Sequence, residues 1–168
     1  MNSKHFIFLA LIALVLRLPG LFDSFWLDEA AQALESVRPL SQQLKIVDDF
    51  QPPLLHLMIH LAQYISVAEW WLRVVGALVP GVLTVLLTCH IGKKVVSVRY
   101  GLIAGLLLAT SSFHIFYSQE LRPYSLSALF ATFTWMLLLT KPVLDTKTKV
   151  LFILATGAGL YSTYLYPF

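Results

Sequence analysis

EWWLRVVGALVPGVLTVLLTCHI, residues 69–91, is the stretch whose reading decides the fold. After Arg73 no Asp, Glu, Lys or Arg interrupts it, and a helix needs about 20 predominantly apolar residues to cross a bilayer. Trp70 and Trp71 stand at its start, where amphipathic rings settle at the membrane–water boundary. Lys93, Lys94 and Arg99 follow its far end. The stretch is expected to be a membrane span running from an aromatic boundary to a basic one. Glu69 and Arg73 lie four apart, on one helix face, and are expected to pair.

Four more apolar segments flank it, at residues 6–21, 101–116, 125–139 and 150–168. Hydrophobic residues make up 58% of the 168 positions and charged residues 12%, against about a quarter charged in soluble domains. The mean hydropathy is +0.75. These values argue against a water-soluble core, and the net charge of +3 sits in short clusters between apolar runs, which reads as topology and not as nucleic-acid binding. Lys4 followed by an apolar run has the look of a secretion signal. No small-x-small site follows, however, and the segment is read as a retained helix. Gly101 and Gly105 form a small-xxx-small pair suited to close helix packing. Cys89, the single cysteine, permits no internal disulfide. The expected fold is all-α: one transmembrane module over residues 1–168, with five apolar segments and additional interfacial helices.

If the spans alternate, Lys4, the Lys93/Lys94/Arg99 cluster and the Lys141/Lys147/Lys149 cluster fall on one side, which the positive-inside rule makes cytoplasmic. The other side receives Asp28-Glu29, Gln51-Pro52-Pro53, Glu69 and the Glu120–Arg122 turn. Residues 23–69 form the first outer loop. Leu34, Val37, Leu44 and Val47 recur in it at helical spacing, as for an amphipathic helix lying on the membrane. Pro52 and Pro53 open a second, shorter apolar helix that is interfacial or re-entrant.

Three outward elements can then converge: Asp28-Glu29; Gln51-Pro52-Pro53 with His56 and His60; and Ser118-Gln119-Glu120-Leu121-Arg122-Pro123-Tyr124. A carboxylate can take a proton from an attacking hydroxyl. An arginine can hold a phosphate through paired hydrogen bonds at any working pH. Together they suit transfer of a group from a lipid phosphate to a hydroxyl, with the arginine stabilising the charge of the departing phosphate. Plainer readings stand beside this one. Asp28 is equally an N-cap with Glu29 in the first turn. Arg17 is equally a side chain snorkelling to the interface. Arg122 is equally a partner for Glu120. His56 and His60 have the spacing of a helical metal pair but lack the glutamate of His-Glu-x-x-His. A rival class is a transporter or flippase for a lipid-linked or anionic substrate, but that would place ionisable residues within the spans, whereas here they sit at the ends.

The order of these motifs resembles the N-terminal part of the GT-C superfamily of membrane glycosyltransferases, and within it the branch of protein O-mannosyltransferases and lipid A aminoarabinose transferases. Arg17 followed by Asp28-Glu29, then Gln51-Pro52-Pro53-Leu54-Leu55-His56 with His60-Leu61, then Glu69, Leu72-Arg73 and Gly76-Ala77-Leu78, and finally Tyr117 to Tyr124 match that pattern over nearly the whole chain. The resemblance implies a polyprenyl- or dolichyl-phosphate sugar donor. It implies a protein, lipid or glycan acceptor and inverting transfer outside the cytoplasm, in the plasma membrane of a bacterium or archaeon. It implies Asp28 as base, supported by Glu29. Arg122 is implied at the donor phosphate, and Glu120, Tyr124, Arg17, Gln51, His56 and His60 around the substrates. Gln51 and Thr163 stand where the family often has histidine, which weakens the case for bound metal. No cofactor is assigned, and a divalent ion is left open. Family members are longer, so the chain is expected to be a piece of a larger enzyme or, failing that, an inactive fragment.

Overall fold

The structure, a computed structural model, describes residues 3–44, 51–141 and 145–166. Among them the regular structure is entirely helical. In chain order the helices are α1 (Ser3–Val15), α2 (Leu27–Glu35), α3 (Leu40–Gln43), α4 (Leu54–Gln63), α5 (Glu69–Arg73), α6 (Val79–Val95), α7 (Val98–Thr110), α8 (Ser112–Tyr117), α9 (Tyr124–Thr140) and α10 (Thr146–Leu160), with a 3₁₀ turn at Pro19–Phe22.

α5 and α6 are joined by a π-helical stretch, Val74–Leu78, into one rod from Glu69 to Val95. Pro80 explains the widened stretch. Its ring replaces the N–H that would bond the Gly76 carbonyl and crowds that carbonyl, so the helix widens just before it. At 27 residues this rod is the one helix among the described residues long and apolar enough to cross a membrane. The other apolar helices are shorter. α9, with 17 residues, is about 25 Å long at 1.5 Å per residue.

Two expected segments are shorter than their apolar runs. Helix α1 stops at Val15, ahead of Pro19, and the Arg17 guanidinium takes the Ala13 carbonyl (2.7 Å) that a further turn would have used. The expected helix over residues 101–116 is interrupted at Ser111, which is extended and caps α8 by accepting from the His114 amide. Arg17 also reaches the Ala109 carbonyl at the end of α7 (3.3 Å). One buried cation thus serves two helix C-termini, where the backbone dipole is negative.

α6 packs on α7, α9 and α1. A Cβ on Gly92 would lie 2.8 Å from the Gly101 Cα, and one on Gly105 would meet Leu9 and Cys89. The small-residue pair in α7 therefore brings two backbones together, as its spacing predicts. Leu9, Ala13, Val85, Cys89 and Ala109 form the core there. A second core, Leu55, Ile59, Ala62, Leu72, Leu121 and Leu126, lies under α4 and carries the polar elements.

The segment expected to carry one short amphipathic helix holds two. Pro39 separates two short ones, α2 and α3. α2 is also inside-out by the standard of a soluble protein. Glu29, Gln32 and Ser36 are buried, while Leu27 is 81% and Leu34 is 71% exposed. Val37 and Leu44 are exposed as well, and Val47 lies outside the described residues.

Candidate functional site

Asp28 and Glu29 both sit in the first turn of α2, and the N-cap is Trp26, not Asp28. Consecutive helical positions point in different directions, so the two carboxylates separate. Glu29 is 1% exposed. Its Oε1 accepts from Arg73 Nε (2.8 Å) and from the Leu121 amide (2.7 Å), and its Oε2 accepts from Arg73 Nη2 (2.6 Å) and the Trp26 amide (3.4 Å). One carboxylate thus ties α2 to α5 and to the 118–123 turn.

Arg73 completes this clamp. Its Nη1 donates to the carbonyls of Leu21 (3.2 Å) and Asp23, and its Nη2 also donates to Ser24 O (3.2 Å). All five guanidinium N–H groups are therefore used. The Phe25 ring lies 4.8 Å from its Cζ. The expected Glu69–Arg73 pair is replaced by this arrangement, because Arg73 turns inward to a buried carboxylate and Glu69 turns to accept from the Phe25 amide (2.7 Å). Burial decides the contest: a charge at 3% exposure requires its full set of partners.

On the outer side of this clamp, Asp28 Oδ2 lies 3.7 Å from Arg122 Nη2, with both side chains partly exposed. Among the described residues that is the only partner of the Arg122 guanidinium, so most of its donors are available. Glu120 lies between the two charge systems. Its carboxyl forms no hydrogen bond or ion pair among the described residues, and it lines an open cleft of about 250 Å³ with Asp23, Trp26, Glu29, Arg73 and Gln119. Partial burial and then the Glu29 charge hold its proton affinity above the usual carboxylate range; Arg122 opposes the shift, Asp28 adds to it and Arg73 opposes it. Tyr124 opens α9 at the edge of the same turn, its ring edge-on to Tyr117 at 4.7 Å.

Arg17 does not snorkel. It is fully buried and also bonds His114 Nδ1 (2.7 Å). The Arg17 carbonyl accepts from Gln119 Nε2 (3.0 Å), which fixes the end of α1 to the 118–123 turn. Its role in the site is therefore to support that turn from behind.

Gln51, His56 and His60 belong to a different assembly. Gln32 Nε2 lies 2.8 Å from His56 Nδ1, and Gln51 Nε2 bonds Gln32 Oε1 and lies 3.2 Å from His56 Nε2. His60 Nδ1 lies 2.8 Å from the Ser36 carbonyl, which also accepts from Gln43 Nε2 (2.8 Å). These amides and imidazoles pin α2 and α3 onto α4. Among the described residues no group of three His, Cys, Asp or Glu is placed to hold a metal.

Sequence reasoning brought together Asp28, Glu29, Glu120, Arg122 and Tyr124. It missed the roles of Arg73, Gln32, Ser36 and Gln43. The signal for two of them was present: Glu29, Gln32 and Ser36 follow helical spacing and mark a polar inner face. Compared with known proteins, the chain matches no family model, no curated protein and no solved structure.

Proposed function

We propose that this chain is the N-terminal membrane module of a glycosyltransferase that moves a sugar from a polyprenyl- or dolichyl-phosphate donor to an acceptor hydroxyl on the extracytoplasmic face. The observation that carries the reading is the pairing of Asp28 with Arg122 at 3.7 Å, both side chains partly exposed. A proton acceptor and a cation with spare donors then lie within one lipid head group of each other. Glu29 supports the arrangement by holding both parent segments.

In this reading Asp28 takes the proton of the acceptor hydroxyl as that oxygen attacks the anomeric carbon. Arg122 leaves Asp28 for the donor phosphate and stabilises the charge that develops on it as the bond to the sugar breaks. The acceptor is a protein, a lipid or a glycan. The apolar helices are the spans of a multi-pass bundle in a plasma membrane. Exposed Phe8 and Leu11 on α1, Leu107 on α7 and Ile153 on α10 suit hydrocarbon contact, and the outward Leu27 and Leu34 of α2 suit the membrane interface. The charges cluster at helix ends, which favours this reading over a transporter.

The test is transfer of a labelled sugar from its polyprenyl phosphate by the full protein in native membranes. Asp28→Asn is expected to abolish transfer while insertion and expression stay normal. Undiminished turnover in that variant would overturn the assignment of the base.

A further inference from the structure

The charges around the cleft do not balance for an anionic guest. Asp23, Glu29 and Glu120 line it with one cation, Arg73, while Arg122, two residues from Glu120, is paired with Asp28. Arg73 is spent on Glu29 and on carbonyls, so it offers an incoming anion nothing new. An anion at Arg122 would cancel the one nearby charge that is free to shield Glu120. Glu120 would then face Glu29 and Asp28 from α2, with no donor of its own among the described residues.

A half-buried carboxyl in that position is relieved most simply by a proton. We propose that Glu120 takes up a proton when the phosphodiester head group of a prenyl lipid binds at Arg122, so that the site holds the anion and the proton together. The step is an equilibrium association: the guest brings one negative charge, the solvent supplies one H⁺, and no other bond is made or broken. The idea rests on the proposed reading of Arg122 as phosphate holder and adds a role for Glu120 that this reading does not assign. It also makes the site selective. Protonated Glu120 becomes a hydrogen-bond donor facing the guest.

Calorimetry on the purified full chain in zwitterionic nanodiscs tests this, with farnesyl methyl phosphate as the probe because its single charge is constant over the range used. Titrations in two buffers of different ionisation enthalpy count the protons taken up. The wild type is expected to take up a fraction of a proton per anion bound. Its affinity should fall as pH rises from about 5 to 8, by up to about tenfold per pH unit. Glu120→Gln should bind without uptake and with a flat pH profile. Asp28→Asn should keep part of the uptake, since Glu29 still faces Glu120, and Arg122→Gln should lose binding. Wild-type binding without uptake, or uptake that persists in Glu120→Gln, would overturn the role of Glu120 and leave Arg122 as phosphate holder intact. No binding by the wild type would overturn both. Wild-type binding without uptake overturns the role of Glu120 whether or not any variant folds.

Discussion

Two polar assemblies start from one helix, α2, and end in different chemistry. The N-terminal turn of α2 contributes Asp28 and Glu29 to a charged cluster with Arg73, Arg122 and Glu120. Gln32 and Ser36, one and two turns later, enter a network of amides and imidazoles with Gln43, Gln51, His56 and His60, with the Glu35 carboxylate 3.9 Å from His56 Nε2. The charged cluster keeps partly exposed members and borders a cleft. In the amide and imidazole network His56 is 2% exposed and Ser36 fully buried. Formal charge is costly to bury, and the buried Glu29 and Arg73 are kept charged here by a full set of partners. Amides and imidazoles fasten one helix to another without that cost, provided each donor finds an acceptor.

The comparison is most strongly tested at Glu29. Glu29→Gln leaves the Arg73 guanidinium buried without its carboxylate, and a loss of about 3–5 kcal/mol is expected. Thermal unfolding in detergent would show it. Replacing Glu29 and Arg73 together by Leu and Met should recover much of that stability without restoring transfer. If the single change were as mild as a surface substitution, the clamp would not be what unites the three segments.

The amide and imidazole network should yield less. His56→Ala takes one partner from each of the Gln32 and Gln51 amides, and about 1–3 kcal/mol is expected from incompletely satisfied buried groups. Transfer per folded molecule should change little, because Gln32 and Gln51, which hold His56, stand apart from the Asp28–Arg122 pair. A full loss of transfer with normal stability would move His56 into the site.

The smallest effect is expected at Glu120, and its sign depends on pH. Its proton affinity is raised in the folded protein, so its contribution to stability is complete below the ordinary carboxylate range and is lost as pH rises through the raised value. Glu120→Gln should therefore match the wild type in acid and be more stable near neutrality. Melting curves across pH check this, and a variant less stable than wild type at neutral pH would contradict it.

Much of this was legible in the sequence, for reasons that individual residues make plain. The 69–91 stretch reads as a long apolar helix because nothing in it needs water, and Gly101 with Gly105 announced a close crossing. Asp28 and Arg122 could be brought together because the basic clusters assign loops to sides. Arg73 was misread because spacing along one helix cannot see a carboxylate 44 residues away, and burial favours that distant partner. The interruption at Ser111 was hidden inside an apolar run. It becomes visible only once Arg17 is seen to cap the end of α7. Gln51, His56 and His60 were drawn into the site by their chemistry, whereas packing gives them to α2 and α3.

The central claim is that an acid and a cation share one site on the outer face of the membrane. Asp28→Cys with Arg122→Cys, treated on intact cells with a short, membrane-impermeant bis-thiol reagent, tests it directly; Cys89 is buried and does not compete. The account predicts an internal cross-link formed without permeabilising the cells, and blocked by a prior impermeant mono-thiol label. Cross-linking that appears only after permeabilisation, or two cysteines that are labelled separately and never joined, would contradict it.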